Sequence, residues 1–536
     1  MGMTNYQFVE KDASELYRKY DLPVLSGRLL AASGLPDEKI RELLFDDGRL
    51  HTSRAECVQR MCRRLRQAKE RGEKVFIGGD YDADGICSTA IMKDVLDRLG
   101  IASGYYIPDR FREGYGLNEK TVEMVAERGY SLIVTVDNGV RAHAAIARAH
   151  ARGLEILVTD HHQIEEEVKA DLVVHPDYME PEFATLSGAG VALQVSRNLL
   201  GDVPFHTALA AVAAIGDVMP LWQETRRIVR QGLEALRQGE APALLALLRN
   251  RDVVDAEAVG FQIVPRLNSV GRMNDLSNVN TLVPFLLSHD PAVITAYKTQ
   301  LETVNEARRT MSAKMAEQAE KLITDDEAIL VLYEESFHEG LNGLVAGRIA
   351  AGFGRPCLVL SRSQDLIKGS GRSIPGFDMF RFFSEGFSEL TAFGGHEQAV
   401  GLSFRLADLD LFRDHVREKA RGMRIDMKDT VVPVLPVRMT DISIHEIEAL
   451  QQLEPLPKEL SGFRFALRHP AVVRRFAGPR VTKYIISEDG HDLEAVLFPY
   501  RGISEPEIIG VMIGRLSVNT WKNRKTCQME IESLEE

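Results

Sequence analysis

The sequence predicts an α/β protein: a parallel-sheet domain, a long helix, a smaller α/β domain, and a C-terminal β-barrel. Three observations carry this. Between residues 51 and 225, short apolar runs alternate with helical patterns, the rhythm of βαβ units. Asp290-Pro291 opens a helical pattern running to about residue 322, with Asp at the cap and Pro in the first turn. Beyond about residue 430 the pattern becomes short alternating runs separated by turn residues, as in small barrels.

Composition sets the bounds. A chain of 536 residues is too long for a single core, so several domains are expected. It is 45% hydrophobic and 27% charged, as in ordinary globular proteins. No run reaches the roughly 18 apolar residues of a membrane span. Met1-Gly2-Met3-Thr4-Asn5 has no basic-then-apolar signal pattern. The five cysteines make no Cys-x-x-Cys pair, and a reducing cytoplasm is the expected location. The net charge of −13 argues against a nucleic-acid coat protein. It leaves room for an enzyme that gathers carboxylates around metal ions and keeps a local basic groove.

The first 50 residues read as a helical segment. In the domain spanning 51–225, a helix over 54–71 leads to a strand at 74–77, and a helix over 88–99 leads to a strand at 105–107. Further strands are predicted at 132–136, 155–159 and 172–174. A helical connector spans 226–325 and a second α/β domain 326–425, with strands at 329–333 and 357–361. The tail domain covers 430–536.

The chemistry concentrates where strands end. Gly79-Asp80-Tyr81-Asp82-Ala83-Asp84-Gly85 follows the apolar run Val75-Phe76-Ile77. Alternating carboxylates repel one another, and a divalent cation is the usual compensation. A turn needs one Asp, not three at alternate positions. Asp137 follows the next buried run, Asp160-His161-His162 the one after, and Asp217 closes a helical segment. One Asp after a strand is more often a helix cap than a ligand; four such segments together are hard to explain as caps. Mixed Asp and His ligation suits Mn²⁺ better than Mg²⁺.

These motifs resemble those of the DHH phosphoesterase superfamily, and within it the bacterial single-strand exonucleases. Pro108-Asp109-Arg110 with Gly114-Tyr115-Gly116-Leu117 strengthens the resemblance, as do Ser187-Gly188-Ala189-Gly190-Val191 and the segment Pro265 through Met273. Lys368-Gly369-Ser370-Gly371-Arg372-Ser373 and Gly394-Gly395-His396-Glu397 look like the associated DHHA1 domain. The tail is similar to an OB-fold.

The resemblance implies a two-metal phosphodiesterase that degrades single-stranded DNA from the 5′ end to mononucleotides, in repair and recombination. Asp82 and Asp137 would hold one cation, and Asp84, Asp137, His161 and Asp217 the other. Mn²⁺ is expected before Mg²⁺. Asp80 would be a ligand or a supporting residue. His162 would face the scissile phosphate. Arg110, Ser370 and Arg372 would hold the 5′ phosphate, and Arg272 and His396 would line the nucleotide path. A monomer is expected, with single-strand DNA-binding protein and a helicase as candidate partners and no membrane. Two other readings are a phosphodiesterase of short oligonucleotides or cyclic dinucleotides, and a non-catalytic DNA-binding scaffold.

In the tail, Arg474, Arg475, Arg480, Lys483, Lys522, Arg524 and Lys525 are interleaved with Phe476, Tyr484 and Trp521. Cations alternating with aromatics are how such barrels hold single strands; an ordinary exposed face is the competing reading.

Overall fold

A short N-terminal strand, β1 (Asn5–Phe8), opens the chain in a computed structural model that describes residues 5–324, 327–423, 431–499, 502–522 and 524–536. It belongs with the C-terminal strands and is treated with them below. Among the described residues the chain divides into two units, residues 48–423 and residues 5–47 together with 431–536.

The first unit contains two sheets. One is wholly parallel and comprises β2 (Val75–Gly78), β3 (Ser103–Tyr106), β4 (Leu132–Val136), β5 (Glu155–Thr159) and β6 (Leu172–Val174), in the order β3-β2-β4-β5-β6. β2 and β4 are buried along their whole length, which explains why they read as nearly continuous apolar runs. The chain leaves β2 towards β3 on one side and returns to place β4 on the other. The carboxyl ends of β2 and β4 therefore flank the crevice where open α/β sheets bind ligands.

The helix after β2 spans Ala83–Leu99, beginning five residues earlier than its apolar pattern predicts. Asp82 is its N-cap, with Oδ1 accepting from the Asp84 and Gly85 amides, both at 3.1 Å. Asp80 thus lies in the loop, Asp82 at the cap and Asp84 inside the first turn. This helix packs against Gly188–Leu200 and Pro204–Gly216. Truncating a side chain such as Ile91, fully buried there, to Ala would cost about 2–5 kcal/mol.

The long helix runs Pro291–Glu320, capped by Asp290. The second sheet follows it: β7 (Leu330–Tyr333), β8 (Cys357–Ser363), β9 (Leu366–Arg372), β10 (Leu390–His396) and β11 (Ala399–Arg405), in the order β10-β11-β9-β8-β7. β7 and β8 are parallel and the other pairs antiparallel. The Ser370-Gly371-Arg372 segment, which sequence composition leaves open to a turn, is the end of a central strand.

The second unit contains β12 (Val431–Pro436), β13 (Arg464–Arg468), β14 (Val472–Ala477), β15 (Thr482–Glu488), β16 (His491–Leu497), β17 (Val511–Trp521) and β18 (Arg524–Glu535). With β1 they form one sheet ordered β1-β12-β13-β17-β18-β16-β15-β14. The segment up to residue 50, expected to be helical, therefore also supplies a strand: β1 pairs in parallel with β12, more than 400 residues away. Among the described residues no helix is long and apolar enough to cross a membrane.

Candidate active site

Three overlapping groups of possible ligands meet where the carboxyl ends of β2, β4 and β5 approach the end of the Pro204–Gly216 helix. Asp80, Asp82 and Asp137 form one; Asp84, His161 and Asp217 form another; and Asp137 and His161 join His162 in the third. Within each group the ligand atoms lie within 4.8 Å of one another. His161 Nε2 is 3.1 Å from Asp137 Oδ1, 3.5 Å from Asp84 Oδ2 and 3.7 Å from Asp217 Oδ2. Asp137 and His161 thus stand between the groups.

Each side chain is placed by its backbone. Asp137 follows β4 directly and adopts a left-handed φ of 60°, a conformation Asp tolerates better than most residues. Asp84 accepts from the Gly188 and Ala189 amides, each at 2.7 Å, so the start of the Gly188–Leu200 helix aims it. Asp217 caps the C-terminus of Pro204–Gly216, its side chain partly exposed and partly covered by the site.

The electrostatics favour a cation. Burial, then repulsion from Asp84 and Asp82, pushes Asp137 well above the usual carboxylate range. Burial and the neighbouring acids raise Asp80 and Asp82 as well, and Asp217 is pushed up to about 7 by burial and by Asp84 and Asp82. Asp137 Oδ1 is buried with no hydrogen-bond partner. Its approach to His161 Nε2, at 3.1 Å, is short but not aligned as a hydrogen bond. A carboxylate and an imidazole nitrogen so disposed fit a divalent cation.

Asp160 has a different role from its neighbours. Its Oδ1 accepts from the His161 amide at 2.7 Å, the His162 amide at 3.1 Å and His162 Nδ1 at 2.8 Å, while Oδ2 takes the Val140 amide at 3.0 Å. Burial alone would raise this carboxyl; the His162 contacts overcome it and hold Asp160 below the usual range. In return the Asp160 hydrogen bond lifts His162 to about 9. His175 is buried and its Nε2 donates to the His162 carbonyl at 2.9 Å. Asn268, whose Oδ1 accepts from the Ala83 amide at 2.7 Å, is another supporting residue that no sequence pattern singles out as such.

Three arginines converge beside this site. Arg110 lies 4.8 Å from the Tyr81 ring and 5.2 Å from the Tyr115 ring, and donates to the Tyr115 hydroxyl at 2.9 Å. Arg272 is pushed down to about 10 by burial and by the like charges of Arg110, Arg372 and Arg308. Burial and Arg110 lower Arg372 too. Among the described residues none of Arg110, Arg272 and Arg372 forms an ion pair. A trio of crowded, unpaired guanidiniums is a site for an anion. Ser370 lies on the same face of β9 as Arg372, two residues away. His396 stands exposed at the β10–β11 hairpin, its Nδ1 accepting from the Gln398 amide at 3.3 Å; no hydrogen bond or ion pair joins it to the arginines.

The tail corrects one expectation. Tyr484 is buried, and its hydroxyl donates to Glu505, which also pairs with Arg475 at 2.7 Å, so Tyr484 is not a stacking surface. Lys483 pairs with Glu494 and Lys525 with Glu448. Phe476 is exposed on the edge strand β14. The Trp521 side chain lies outside the described residues.

The fold and this site define a DHH phosphoesterase architecture, and comparison with known proteins agrees. Residues 74–216 match the DHH family, N-terminal domain, and residues 326–422 the DHHA1 domain. The chain is 30% identical to the single-stranded-DNA-specific exonuclease RecJ of Salmonella typhimurium, with 96% of each covered. It is 34% identical to RecJ of Bacillus subtilis, covering 88% of this chain and 62% of that longer protein. In fold it is similar to a crystal structure of Thermus thermophilus RecJ in complex with Mn²⁺, at TM-score 0.83 and 24% identity, covering 99% of this chain and 79% of that one. The chain belongs to the RecJ family.

Proposed function

We propose that this protein is a metal-dependent 5′→3′ exonuclease that hydrolyses single-stranded DNA to mononucleotides, acting in repair and recombination. The observation that carries the reading is the convergence of the ligand groups on Asp137 and His161, beside an unpaired arginine trio. The names of its relatives, single-stranded-DNA-specific exonucleases, supply the substrate class.

Asp80, Asp82 and Asp137 would hold one divalent cation, and Asp84, Asp137, His161 and Asp217 the second. Crystal structures of the Thermus relative with Mn²⁺ and with Mg²⁺ support divalent metals. When bound, such a pair activates water and stabilises both the attacking and the leaving oxygen. The chain's own residues orient the substrate. Arg110 and Arg372, with Ser370, would grip the terminal 5′ phosphate, and Arg272 would hold the strand beside it. His162, oriented by its Nδ1 hydrogen bond to Asp160, would face the scissile phosphate. A grip on the terminal phosphate defines which phosphodiester reaches the metals, so each cycle removes one nucleotide. Single-strand DNA-binding protein and a helicase are candidate partners of a monomeric enzyme.

The test incubates the protein and Mn²⁺ with a 5′-phosphorylated, 3′-labelled single strand, beside its duplex and a dinucleotide. Loss of the single strand with release of mononucleotides is expected. Turnover of the dinucleotide alone would replace this reading with an oligonucleotide phosphodiesterase, and tight binding without turnover with a scaffold.

A further inference from the structure

The arginine pocket is shared between two domains. Arg110 and Arg272 belong to the parallel-sheet side and its connector, and Arg372 to β9. Its geometry therefore depends on how closely the two sides are held.

Among their contacts, one place is especially tight. A β-carbon on Gly340 would stand 2.0 Å from the Arg272 carbonyl oxygen and 3.0 Å from the Phe111 ring. Real β-carbons do not approach a carbonyl so closely, so only glycine allows this contact. Lys368 Nζ donates to the Phe111 carbonyl at 3.2 Å and pairs with Glu339 at 2.9 Å. The Phe111 ring meets the His338 ring edge-on, with centroids 6.3 Å apart. From the other side, Asn274 donates to both oxygens of Asp109, at 2.7 and 2.6 Å. Asp109 Oδ1 in turn accepts from the Phe111 amide at 2.9 Å. The loop carrying Arg110 is thus braced from both sides. On β9, Lys368, Ser370 and Arg372 alternate onto one face, so the strand that fastens the loop also presents Arg372 to it.

We propose that Gly340 and Lys368 form a latch that sets the spacing of Arg110, Arg272 and Arg372, making both of them positioning residues for selection of a 5′-phosphorylated end. The proposal rests on the reading of the arginine trio as a terminal-phosphate pocket.

The experiment measures kcat and KM of the full chain on 5′-phosphorylated and 5′-hydroxyl single strands. The variants are Gly340→Ala, Lys368→Met, Arg372→Ala and, as a control, Gly352→Ala, where an added β-carbon meets nothing within 4 Å. Gly340→Ala and Lys368→Met should each lower the preference for the phosphorylated end about tenfold, through KM on that strand, with Mn²⁺ affinity by calorimetry unchanged. Gly352→Ala should keep the parent preference. Lys368 is partly exposed, so Lys368→Met is expected to fold, as circular dichroism checks, and tests the latch even where Gly340→Ala does not. If Arg372→Ala removes the preference while Gly340→Ala and Lys368→Met keep it, the latch is overturned and the pocket stands. If Arg372→Ala leaves the preference intact, the pocket reading falls, and the latch with it.

Discussion

The Oδ1 atom of Asp137 lies 2.5 Å from the point where a β-carbon on Gly188 would stand. The same glycine donates its amide to Asp84 Oδ2 at 2.7 Å. One backbone position thus supports a carboxylate from each of two ligand groups, and any side chain there must displace one of them. Gly188→Ala should weaken Mn²⁺ binding by about tenfold or more while leaving the arginine trio intact. Isothermal titration with Mn²⁺ reads this directly, and an unchanged affinity would detach Gly188 from the metal site.

Asp137 stands between the group of Asp80 and Asp82 and that of Asp84, His161 and Asp217, so its loss should disable both. Asp137→Ala is expected to lower kcat by more than about 100-fold, beyond what loss of a supporting residue costs. Single-strand binding, which the arginines would supply, should persist in a filter or anisotropy assay. Full activity in this variant would sink the two-metal assignment.

How much of this was legible in the sequence follows from how local each signal is. The strands of the parallel sheet announce themselves, because β2 and β4 are buried on both faces and read as apolar runs. The helix at Ala83 does not: its first turn holds Asp84 and Gly85, whose loop-like composition hides a cap made by the Asp82 carboxylate. Three strands of the second sheet, β9 to β11, contain Gly369, Gly371, Gly394, Gly395 and Gly401, and glycine erases the alternation that marks a strand. β1 is a four-residue strand whose partner lies in the tail, a pairing no window of sequence contains. The candidate ligands stand out because carboxylates recur just past buried strands and, at Asp217, at the end of a helix. Asp160 is harder to place, because its carboxylate is satisfied internally by three amides and the His162 ring.

Metal and pH should act together on stability. Asp217 is raised to about 7, and Asp80, Asp82 and Asp137 are raised as well. A carboxyl whose folded pKa lies above its unfolded value binds more protons when folded. Metal-free protein should therefore lose stability as pH rises from about 4 towards 7. A cation replaces the missing protons. Saturating Mn²⁺ should raise Tm by about 5 °C or more at pH 7.5 and by clearly less at pH 5.5. Thermal scans with and without chelator check this; equal gains at both pH values would count against mutual repulsion as the driving force for binding.

His162 provides a separate pH test, because its shift has one dominant source. Its hydrogen bond to Asp160 raises it to about 9, against a burial effect of opposite sign. A histidine whose folded pKa is raised contributes stability that is complete below about 6.5 and lost as pH rises through about 9. Asp160→Asn keeps the shape and removes the charge, so His162 should titrate near its ordinary value of about 6.5, and the loss of stability on approaching pH 9 should disappear. The imidazole carbon protons, followed by NMR in chelator-treated protein, report the first effect, and urea midpoints across the same range report the second. Asp160 also receives the His161, His162 and Val140 amides, so the variant loosens the turn that presents His161. A fall in Mn²⁺ affinity should therefore accompany the shift. A His162 titration that stays near 9 in Asp160→Asn would mean that the remaining acids, Asp217 and Asp80, hold the proton instead.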